Sequence, residues 1–277
     1  MSPTLVTSGP MSATLEIERL SVSFGGLRAV DRVSLGCAGA TITALVGPNG
    51  AGKTTVLNAL GGFVPASGGR MALDGQNVAG LAPHEIARRG VARAFQFVEL
   101  FRHMTVLDNL MLGRHLHMRA GLLAGALFFG RSRREQVAHR ERVEGIVDFL
   151  ELRRYRKQPV AGLPFGIQKM VTLGRALAME PRLLLLDEPS SGLNRDEKEH
   201  FARFLLRIKH ELGVTVLWVE HDLEMVGDLA DRVVVLDFGQ KIADGEPGRV
   251  LREPKVVEAY LGRARPEASG CITIPPR

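Results

Sequence analysis

The stretch GPNGAGKT, residues 47–54, decides the fold of this chain, because it fits the phosphate-loop pattern G-x-x-x-x-G-K-[ST]. The apolar run TITALV at 41–46 predicts a buried strand that enters the loop, and Val56, Leu57 and Leu60 follow at helical spacing. A loop between such a strand and helix wraps backbone N–H groups and a helix N-terminus around phosphate groups. The sequence therefore predicts that the chain binds a nucleoside triphosphate.

The residue types inside this loop match the chemistry of a nucleotide site. Glycines let the backbone approach the phosphates, because a side chain would block that approach. Lys53 can reach the β- and γ-phosphates, and the Thr54 hydroxyl can ligate Mg²⁺. A Gly-rich turn that only happens to contain a lysine would not account for the flanking strand and helix. The predicted nucleotide-binding residues of the loop are Gly47, Pro48, Asn49, Gly50, Ala51, Gly52, Lys53, Thr54 and Thr55.

A second strand is predicted to carry carboxylates to the nucleotide. Four leucines at 183–186 indicate a fully buried strand, and Asp187 and Glu188 follow them directly. At the tip of this strand Asp187 can face Mg²⁺ through a water molecule. Glu188 can face the water that attacks the γ-phosphate. The alternative is a buried structural acid pair, which a chain with a phosphate loop makes the weaker interpretation.

Two more strands are predicted to end in polar side chains. The run at 91–95 leads to Gln96, whose side-chain oxygen can bind Mg²⁺ or the attacking water, although the residue alone is a weak signal. The run at 214–219 leads to His221, which is expected at the same edge of the sheet as the loop and the acid pair. A lone histidine is more often structural than catalytic, but this topology favours the catalytic role.

The segments before and after the loop predict the rest of the architecture. Residues 15–18 alternate like an edge strand, and Val30, Val33 and Leu35 alternate like another, so the chain opens with β structure. Phe24 either stacks on a purine base or belongs to the core; the spacing favours neither. Residues 105–152 show a mainly helical pattern. The apolar piece at 120–130, which precedes Arg131, Arg133 and Arg134, is either a buried helix or a surface that meets a partner or lipid headgroups.

The composition excludes several classes of protein. Of the 277 residues 45% are hydrophobic and 24% are charged, as in ordinary globular proteins. No run approaches the roughly 20 apolar residues of a membrane-spanning helix, and the first residues lack the pattern of a signal peptide. Cys37 and Cys271 lie outside any metal spacing and predict a reducing, cytosolic setting without disulfides. A net charge of +6 fits nucleic acid, an anionic membrane surface or nucleotide phosphates, and does not decide among them.

Taken in order, these motifs resemble those of ATP-binding-cassette (ABC) ATPases over nearly the whole chain. The matching stretches are GPNGAGKTT at 47–55, Gln96, LPFGIQK at 163–169, LLLLDEP at 183–189, SSGLN at 190–194 and His221. The resemblance implies an α/β fold, a P-loop NTPase of ABC type with a mixed sheet core, a β-rich lobe and a helical subdomain. The implied boundaries are a flexible tail at 1–13, one nucleotide-binding domain at 14–262 with the helical subdomain at about 97–175, and a C-terminal tail at 263–277.

The resemblance also implies a role for individual residues. Phe24 looks like the adenine-stacking aromatic, and Gln96 looks like the Q-loop glutamine. Glu188 looks like the catalytic glutamate, and His221 looks like the switch histidine that holds the γ-phosphate. Residues 191–194 match the D-loop, which crosses the interface of a dimer. The implied ligands are ATP and Mg²⁺, and the implied metal-binding residues are Thr54, Gln96 and Asp187.

A narrower resemblance, to the longer ATP-binding subunit of branched-chain amino-acid uptake systems, rests on three stretches and the long insert after Gly113. The stretches are FGGLRAV at 24–30, FQFVELFRHMTVLDNL at 95–110 and EPKVVEAYLG at 253–262. It implies an importer with two membrane-spanning permease subunits, a second ATP-binding subunit that is a different chain and, indirectly, a periplasmic or extracellular solute-binding protein. The chain would then lie peripherally on the cytoplasmic face of the inner membrane. Similar systems take up urea, short amides and aromatic acids, so the solute stays open.

The chain departs from the family pattern at the signature position, which is usually LSGGQ and here comprises Leu163, Pro164, Phe165, Gly166 and Ile167. Pro164 replaces the serine that touches the γ-phosphate bound by the opposite subunit. Gly166 and the following helix N-terminus can still face that phosphate. We therefore expect ATP binding across the dimer interface but slow hydrolysis at that composite site.

Two other functions compete with an importer subunit. A soluble ABC-type ATPase that acts on nucleic acid or in translation would carry two cassettes or long coiled coils, whereas this chain has one cassette and no sustained heptads. A small-molecule kinase with a phosphate loop has no use for a signature stretch or a switch histidine. The sequence therefore favours the importer, without a nucleic-acid partner.

Overall fold

The computed structural model describes residues 12–94, 100–117 and 131–261, the last range without the side chains of 131–134. The predictions for Gln96, for the insert at 120–130 and for most of both tails lie outside these residues. In chain order the strands are β1 Leu15–Phe24, β2 Leu27–Cys37, β3 Ile42–Val46, β4 Gly68–Leu73, β5 Gln76–Asn77, β6 Val91–Ala94, β7 Leu183–Asp187, β8 Thr215–Val219, β9 Arg232–Asp237 and β10 Gln240–Gly245. The helices are α1 Lys53–Leu60, α2 Pro83–Arg88, α3 Val106–Gly113, α4 Arg131–Phe149, α5 Phe165–Leu177, α6 Arg195–Leu212, α7 Leu223–Leu229, α8 Pro247–Val250 and α9 Pro254–Leu261.

The larger sheet has the strand order β10-β9-β3-β8-β7-β6. Five of its strands, β9, β3, β8, β7 and β6, run parallel to one another. The sixth strand, β10, pairs antiparallel with β9. The apolar runs predicted as buried strands form β3, β7 and β8, in which every residue is buried. Because both faces of a parallel sheet are covered, such strands are mainly apolar rather than alternating. The predicted α/β fold with a mixed sheet is confirmed, although β10 was not predicted.

The smaller sheet is antiparallel, with the order β2-β1-β4-β5. The prediction of an edge strand at 15–18 is wrong, because β1 pairs with β2 on one side and with β4 on the other. Alternation of Leu15 and Ile17 with exposed glutamates shows only that one face is buried. It does not tell whether a strand has one neighbour or two, since that depends on pairing with distant residues.

The two sheets enclose one part of the core, and helices cover the other part. Leu45 of β3, Val56 and Leu57 of α1 and Ile17 of β1 share one apolar cluster, so α1 packs between the sheets. Ala44 and Val46 of β3 point to the opposite face of the larger sheet and join a second cluster with α3 to α9. Every strand of the larger sheet except β10 therefore delivers its carboxyl end to the edge from which α1 begins.

Local signals fix where the helices begin and end. The Thr105 hydroxyl accepts a hydrogen bond from Asp108 N–H at the start of α3. Asn194 and Glu197 form a reciprocal capping box at the start of α6, and Gly213 ends that helix with φ 66°. Across the described ranges, none of the helices has the length and apolarity needed to cross a membrane.

Candidate functional site

The phosphate loop runs from the end of β3 to the start of α1. Gly47 and Gly52 have φ 148° and 98°, in the region that favours glycine. A Cβ on Gly52 would lie 2.6 Å from the Ala29 carbonyl oxygen, and one on Gly47 would collide with the Leu236 carbonyl oxygen. The loop is therefore clamped between β2 and β9, and only glycine fits at these two positions.

Lys53 folds back over the loop that precedes it. Its Nζ donates hydrogen bonds to the carbonyl oxygens of Gly47 at 2.8 Å and Pro48 at 2.9 Å. The side chain is buried, so the ammonium group is held at the mouth of the loop. This position, beside the N-terminus of α1, places a positive charge and backbone N–H groups where an anion would bind.

The carboxylate of Asp187 lies at the tip of β7, beside the first turn of α1. Its Oδ1 accepts a hydrogen bond from the Thr54 hydroxyl at 3.3 Å. Both groups are oxygen donors, which are the ligands that Mg²⁺ prefers, and such sites use few protein ligands beside nucleotide phosphates. The donor set therefore fits the predicted metal, and these are two of the three residues predicted to hold it.

Arg93 of β6 pairs with the other oxygen of the Asp187 carboxylate. Arg93 was not predicted from the sequence as a site residue. Its guanidinium lies 2.7 Å from Asp187 Oδ2 and donates a second hydrogen bond to Asn58 Oδ1 at 2.6 Å. The side chains of Arg93 and Asp187 are only 8% and 4% exposed. The signal available in the sequence was an arginine in the otherwise apolar strand that precedes Gln96.

Glu188 and His221 meet at the carboxyl edge of the sheet. His221 Nε2 lies 2.5 Å from Glu188 Oε1, within hydrogen-bond distance. Glu188 has φ 47°, which is uncommon for a residue with a side chain, and its N–H donates to the Val219 carbonyl at 2.9 Å. Two of the three residues predicted as catalytic are thus in direct contact, and the third, Gln96, lies outside the described residues.

Glu220 holds the neighbouring backbone in place, a role that the sequence did not indicate. It is buried, and its Oε1 accepts a hydrogen bond from His221 N–H at 2.8 Å. Its Oε2 accepts a second one from the Ser190 hydroxyl at 2.7 Å. Glu220 therefore ties the end of β8 to the turn after Glu188.

The signature stretch begins α5. Pro164 is the N-cap residue, with an extended conformation and no side-chain hydrogen bond to the helix. The Phe165 ring is 45% exposed and lies against Gly192 of the 191–194 turn. Leu163 is buried, and Gly166 faces the Glu197 carboxylate so closely that a Cβ would collide with it. The structure thus packs the signature stretch against the turn that matches the D-loop.

Lys169, one turn into α5, lies between this stretch and the carboxylates of Glu188 and Glu220, which follow β7 and β8. Its Nζ lies 5.4 Å from the centre of the Phe165 ring, and the residue is buried. Burial lowers the pKa of Lys169, whereas the charges of Glu220 and Glu188 oppose that shift. The ammonium group is therefore within electrostatic range of both carboxylates.

Phe24 is 50% exposed at the end of β1, in the hairpin that leads to β2. The interpretation of Phe24 as a core residue is therefore wrong, and its stacking on a purine base stays a prediction. The structure brings Lys53, Thr54 and Asp187 to one edge, with Glu188 and His221 at the same strand ends. After β6 the first described range stops at Ala94, so Gln96 lies outside the described residues.

Two family models match the chain. The model described as "ABC transporter" matches residues 30–191, which is more than half of the chain. The model described as "Branched-chain amino acid ATP-binding cassette transporter" matches residues 240–265. The first range includes the phosphate loop, the signature stretch and the acid pair, and the second includes β10, α8 and α9.

Several characterised proteins are similar over most of the chain. The high-affinity branched-chain amino acid transport ATP-binding protein BraF of Pseudomonas aeruginosa is 40% identical over 253 residues, which cover 90% of this chain and 98% of BraF. The corresponding protein LivG of Escherichia coli is 37% identical, with coverages of 90% and 98%. Among solved structures, the ADP conformation of MJ1267, an ATP-binding cassette of an ABC transporter, superposes with a TM-score of 0.79 at 31% identity, covering 90% of this chain and 99% of MJ1267.

Proposed function

Since this chain belongs to the ABC transporter family, we propose that it is the ATP-binding and ATP-hydrolysing subunit of an importer for branched-chain amino acids or a related small solute. The main structural support for ATP hydrolysis is the 2.5 Å contact between Glu188 and His221, at the strand ends beside the phosphate loop. The similarity to BraF and LivG, and the match at residues 240–265, support the solute class. Urea, short amides and aromatic acids are the related solutes.

The geometry supports a division of labour within the site. Residues 47–55 bind the phosphates, and Lys53 exchanges the two carbonyl oxygens that it now contacts for β- and γ-phosphate oxygens. Glu188 orients and deprotonates the attacking water, while His221 holds the γ-phosphate. The contact between them lets His221 fix the direction of the Glu188 carboxylate. Phe24 contacts the adenine base, and Gln96 would place its side-chain oxygen on Mg²⁺ or on the attacking water.

Thr54 and Asp187 are the described residues that would hold Mg²⁺, with Gln96 as the third predicted ligand. When bound, Mg²⁺ neutralises charge on the β- and γ-phosphates. Arg93 directs Asp187 toward Thr54, because its guanidinium pairs with the opposite carboxylate oxygen. The chain itself thus supplies an oriented ligand.

The proposed assembly contains two cassettes and two membrane-spanning permease subunits. The stretch Leu163–Gly166 would complete the nucleotide site of the second cassette, and that cassette's signature would complete the site on Lys53. The packing of Phe165 on Gly192 supports this arrangement, because it presents the signature stretch and the 191–194 turn as one surface. A solute-binding protein would deliver the solute to the permeases, and this chain would lie peripherally on the cytoplasmic face of the membrane.

The domain boundaries form part of the proposal. One nucleotide-binding domain would span 14–262, with a helical subdomain at about 97–175 that includes α3, α4 and most of α5. The tight packing of α3 on α5 through Leu110 and Gly174 supports a common unit. The tails would lie outside this domain.

Uptake in cells that lack the chain tests the proposal. Deletion should abolish high-affinity uptake of labelled leucine, isoleucine and valine, and the wild-type chain should restore it. The matched control is Lys53→Ala, which should not restore uptake because it removes a phosphate contact. Uptake that is unchanged in the deletion strain for these amino acids, for urea, for short amides and for aromatic acids would contradict the importer role. Uptake restored for only one of these classes would identify the solute.

A further inference from the structure

A closed ring of contacts joins the ends of β7 and β8 around the two residues proposed to act in hydrolysis. On one side of the ring Glu188 Oε1 lies 2.5 Å from His221 Nε2. On the other side the Glu220 carboxylate accepts hydrogen bonds from His221 N–H at 2.8 Å and from the Ser190 hydroxyl at 2.7 Å. Ser190 lies two residues after Glu188, so the main chain through Pro189 closes the ring. The position of the histidine relative to Glu188 is therefore set by Glu220 and Ser190 as well as by the strands.

Glu220 is a buried acid, and both of its carboxylate oxygens have partners. Only 3% of the residue is exposed. Its Oε1 accepts from His221 N–H and, at 3.4 Å, from Asp222 N–H, while its Oε2 accepts from Ser190. Ser190 is 2% exposed, so water does not compete for the last of these bonds. Because a buried polar group without partners costs free energy, these bonds hold the carboxylate in one orientation.

The pairing of the larger sheet ends before it reaches His221. β8 ends at Val219, which pairs with Asp187 in the last residue pair between β7 and β8. α7 begins only at Leu223, so His221 lies in the link between the strand and the helix. The side chain of Glu220 supplies the hydrogen bond to His221 N–H that strand pairing does not supply there. The direction of the imidazole toward Glu188 thus depends on Glu220.

We propose that Glu220 is a positioning residue for ATP hydrolysis, which keeps His221 in contact with Glu188 by holding the His221 N–H. Ser190 acts one step further away, because its hydroxyl fixes the Glu220 carboxylate. The inference rests on the proposed hydrolysis of ATP at Glu188. It concerns turnover rather than nucleotide binding, since the phosphate loop is held by separate contacts with β2 and β9.

Glu220→Gln and Glu220→Ala, measured in the assembled transporter, test this role. The glutamine amide keeps both bonds, because its oxygen can accept from His221 N–H and its NH₂ group can donate to the Ser190 oxygen. Glu220→Gln should therefore hydrolyse ATP at nearly the wild-type rate. Glu220→Ala loses both bonds and should lower kcat about 10- to 100-fold, with an unchanged KM for MgATP. A merely structural acid would instead lower the melting temperature in Glu220→Ala without this selective loss of kcat.

Ser190→Ala is a milder variant that removes one hydroxyl, and it keeps the test available if Glu220→Ala does not fold. It should lower kcat about two- to fivefold with an unchanged KM, because Glu220 keeps its bond to His221 N–H but loses its own anchor. The matched control is Thr215→Val at the start of β8. The Thr215 hydroxyl is also buried and donates to the Ala13 carbonyl at 2.8 Å. Its removal should lower the melting temperature and leave kcat unchanged.

Three results would overturn the positioning role of Glu220. They are an unchanged kcat in Ser190→Ala or in folded Glu220→Ala, a kcat in Glu220→Gln as low as that expected for Glu220→Ala, and a loss of kcat in Thr215→Val equal to that in Ser190→Ala. A wild-type transporter that hydrolyses no ATP would instead overturn the proposed function, and this inference with it.

Discussion

The guanidinium of Arg93 lies 2.7 Å from Asp187 Oδ2, while the other oxygen of the same carboxylate accepts from Thr54. The predicted metal ligand is therefore one end of a buried ion pair. Removal of one partner of such a pair leaves an uncompensated charge in the interior, which is far more costly than the loss of an exposed pair.

Arg93→Met should lower the free energy of unfolding by about 3–5 kcal/mol, because the Asp187 carboxylate then lies buried without its partner. Urea denaturation measures the change. The control is Arg195→Met, which breaks an exposed pair with Glu199 and should change the free energy by about 0–1 kcal/mol. Addition of Asp187→Asn to Arg93→Met should recover much of the loss, and a double variant that is no more stable than Arg93→Met would contradict the pairing.

Pro164→Ser should change both stability and turnover. Pro164 is the N-cap of α5 and makes no side-chain hydrogen bond, so a serine there should add about 0.5–2 kcal/mol to the free energy of unfolding. In the reconstituted transporter with its second cassette, the serine should also speed hydrolysis at the partner's nucleotide site, because it offers a hydroxyl to the γ-phosphate.

The matched control for this variant is Pro159→Ser. Pro159 is also a proline at an N-cap without a side-chain hydrogen bond, ahead of the short 3₁₀ helix Val160–Gly162. It should leave ATP turnover unchanged. Equal turnover in Pro164→Ser and the wild type would show that Gly166 and the N-terminus of α5 suffice for hydrolysis at the composite site.

Acid should weaken the fold through Glu180. Its carboxylate lies 3.0 Å from the buried Arg114 and also pairs with Arg142. Burial raises the pKa of Glu180, but the two arginines outweigh this effect and leave it below its ordinary value. A depressed pKa in the folded state adds stability above the unfolded pKa, and this stability is lost as the pH falls through the folded value.

Glu180→Gln should therefore lower the melting temperature at about pH 7 and flatten its decline between about pH 5 and pH 3. Glu199→Gln, in an exposed pair, is the control and should follow the wild-type curve. A Glu180→Gln curve that stays parallel to the wild-type curve over this range would contradict the ion-pair assignment.

The sequence predicted the parts of the site that depend on strand tips. The run 183–186 is apolar throughout and 41–46 is apolar except for Thr41 and Thr43, as expected for strands of a sheet covered on both faces. Parallel strands then carry the residues after them to one edge, so the phosphate loop and Asp187 had to lie near each other. The contact of Glu188 with His221 follows from the same argument, since β8 pairs with β7.

The features that were missed depend on pairing and packing between distant residues. β1 is flanked by β2 and β4, and nothing in the pattern of 15–18 shows how many neighbours it has. Arg93 looked like one polar residue in a short strand, because the carboxylate that it pairs with lies 94 residues away. The hold of Glu220 on His221 N–H likewise depends on a local backbone shape that periodicity does not encode.

Steady-state ATP hydrolysis by Glu188→Gln, in the assembled transporter, tests the central claim most directly. The carboxylate that contacts His221 at 2.5 Å should be the group that activates water. Its conversion to an amide should therefore leave MgATP binding intact and slow turnover about 10²- to 10⁴-fold. Glu199→Gln, an exposed glutamate changed in the same way, should turn over at the wild-type rate. A Glu188→Gln transporter that hydrolyses ATP at nearly the wild-type rate would contradict the claim.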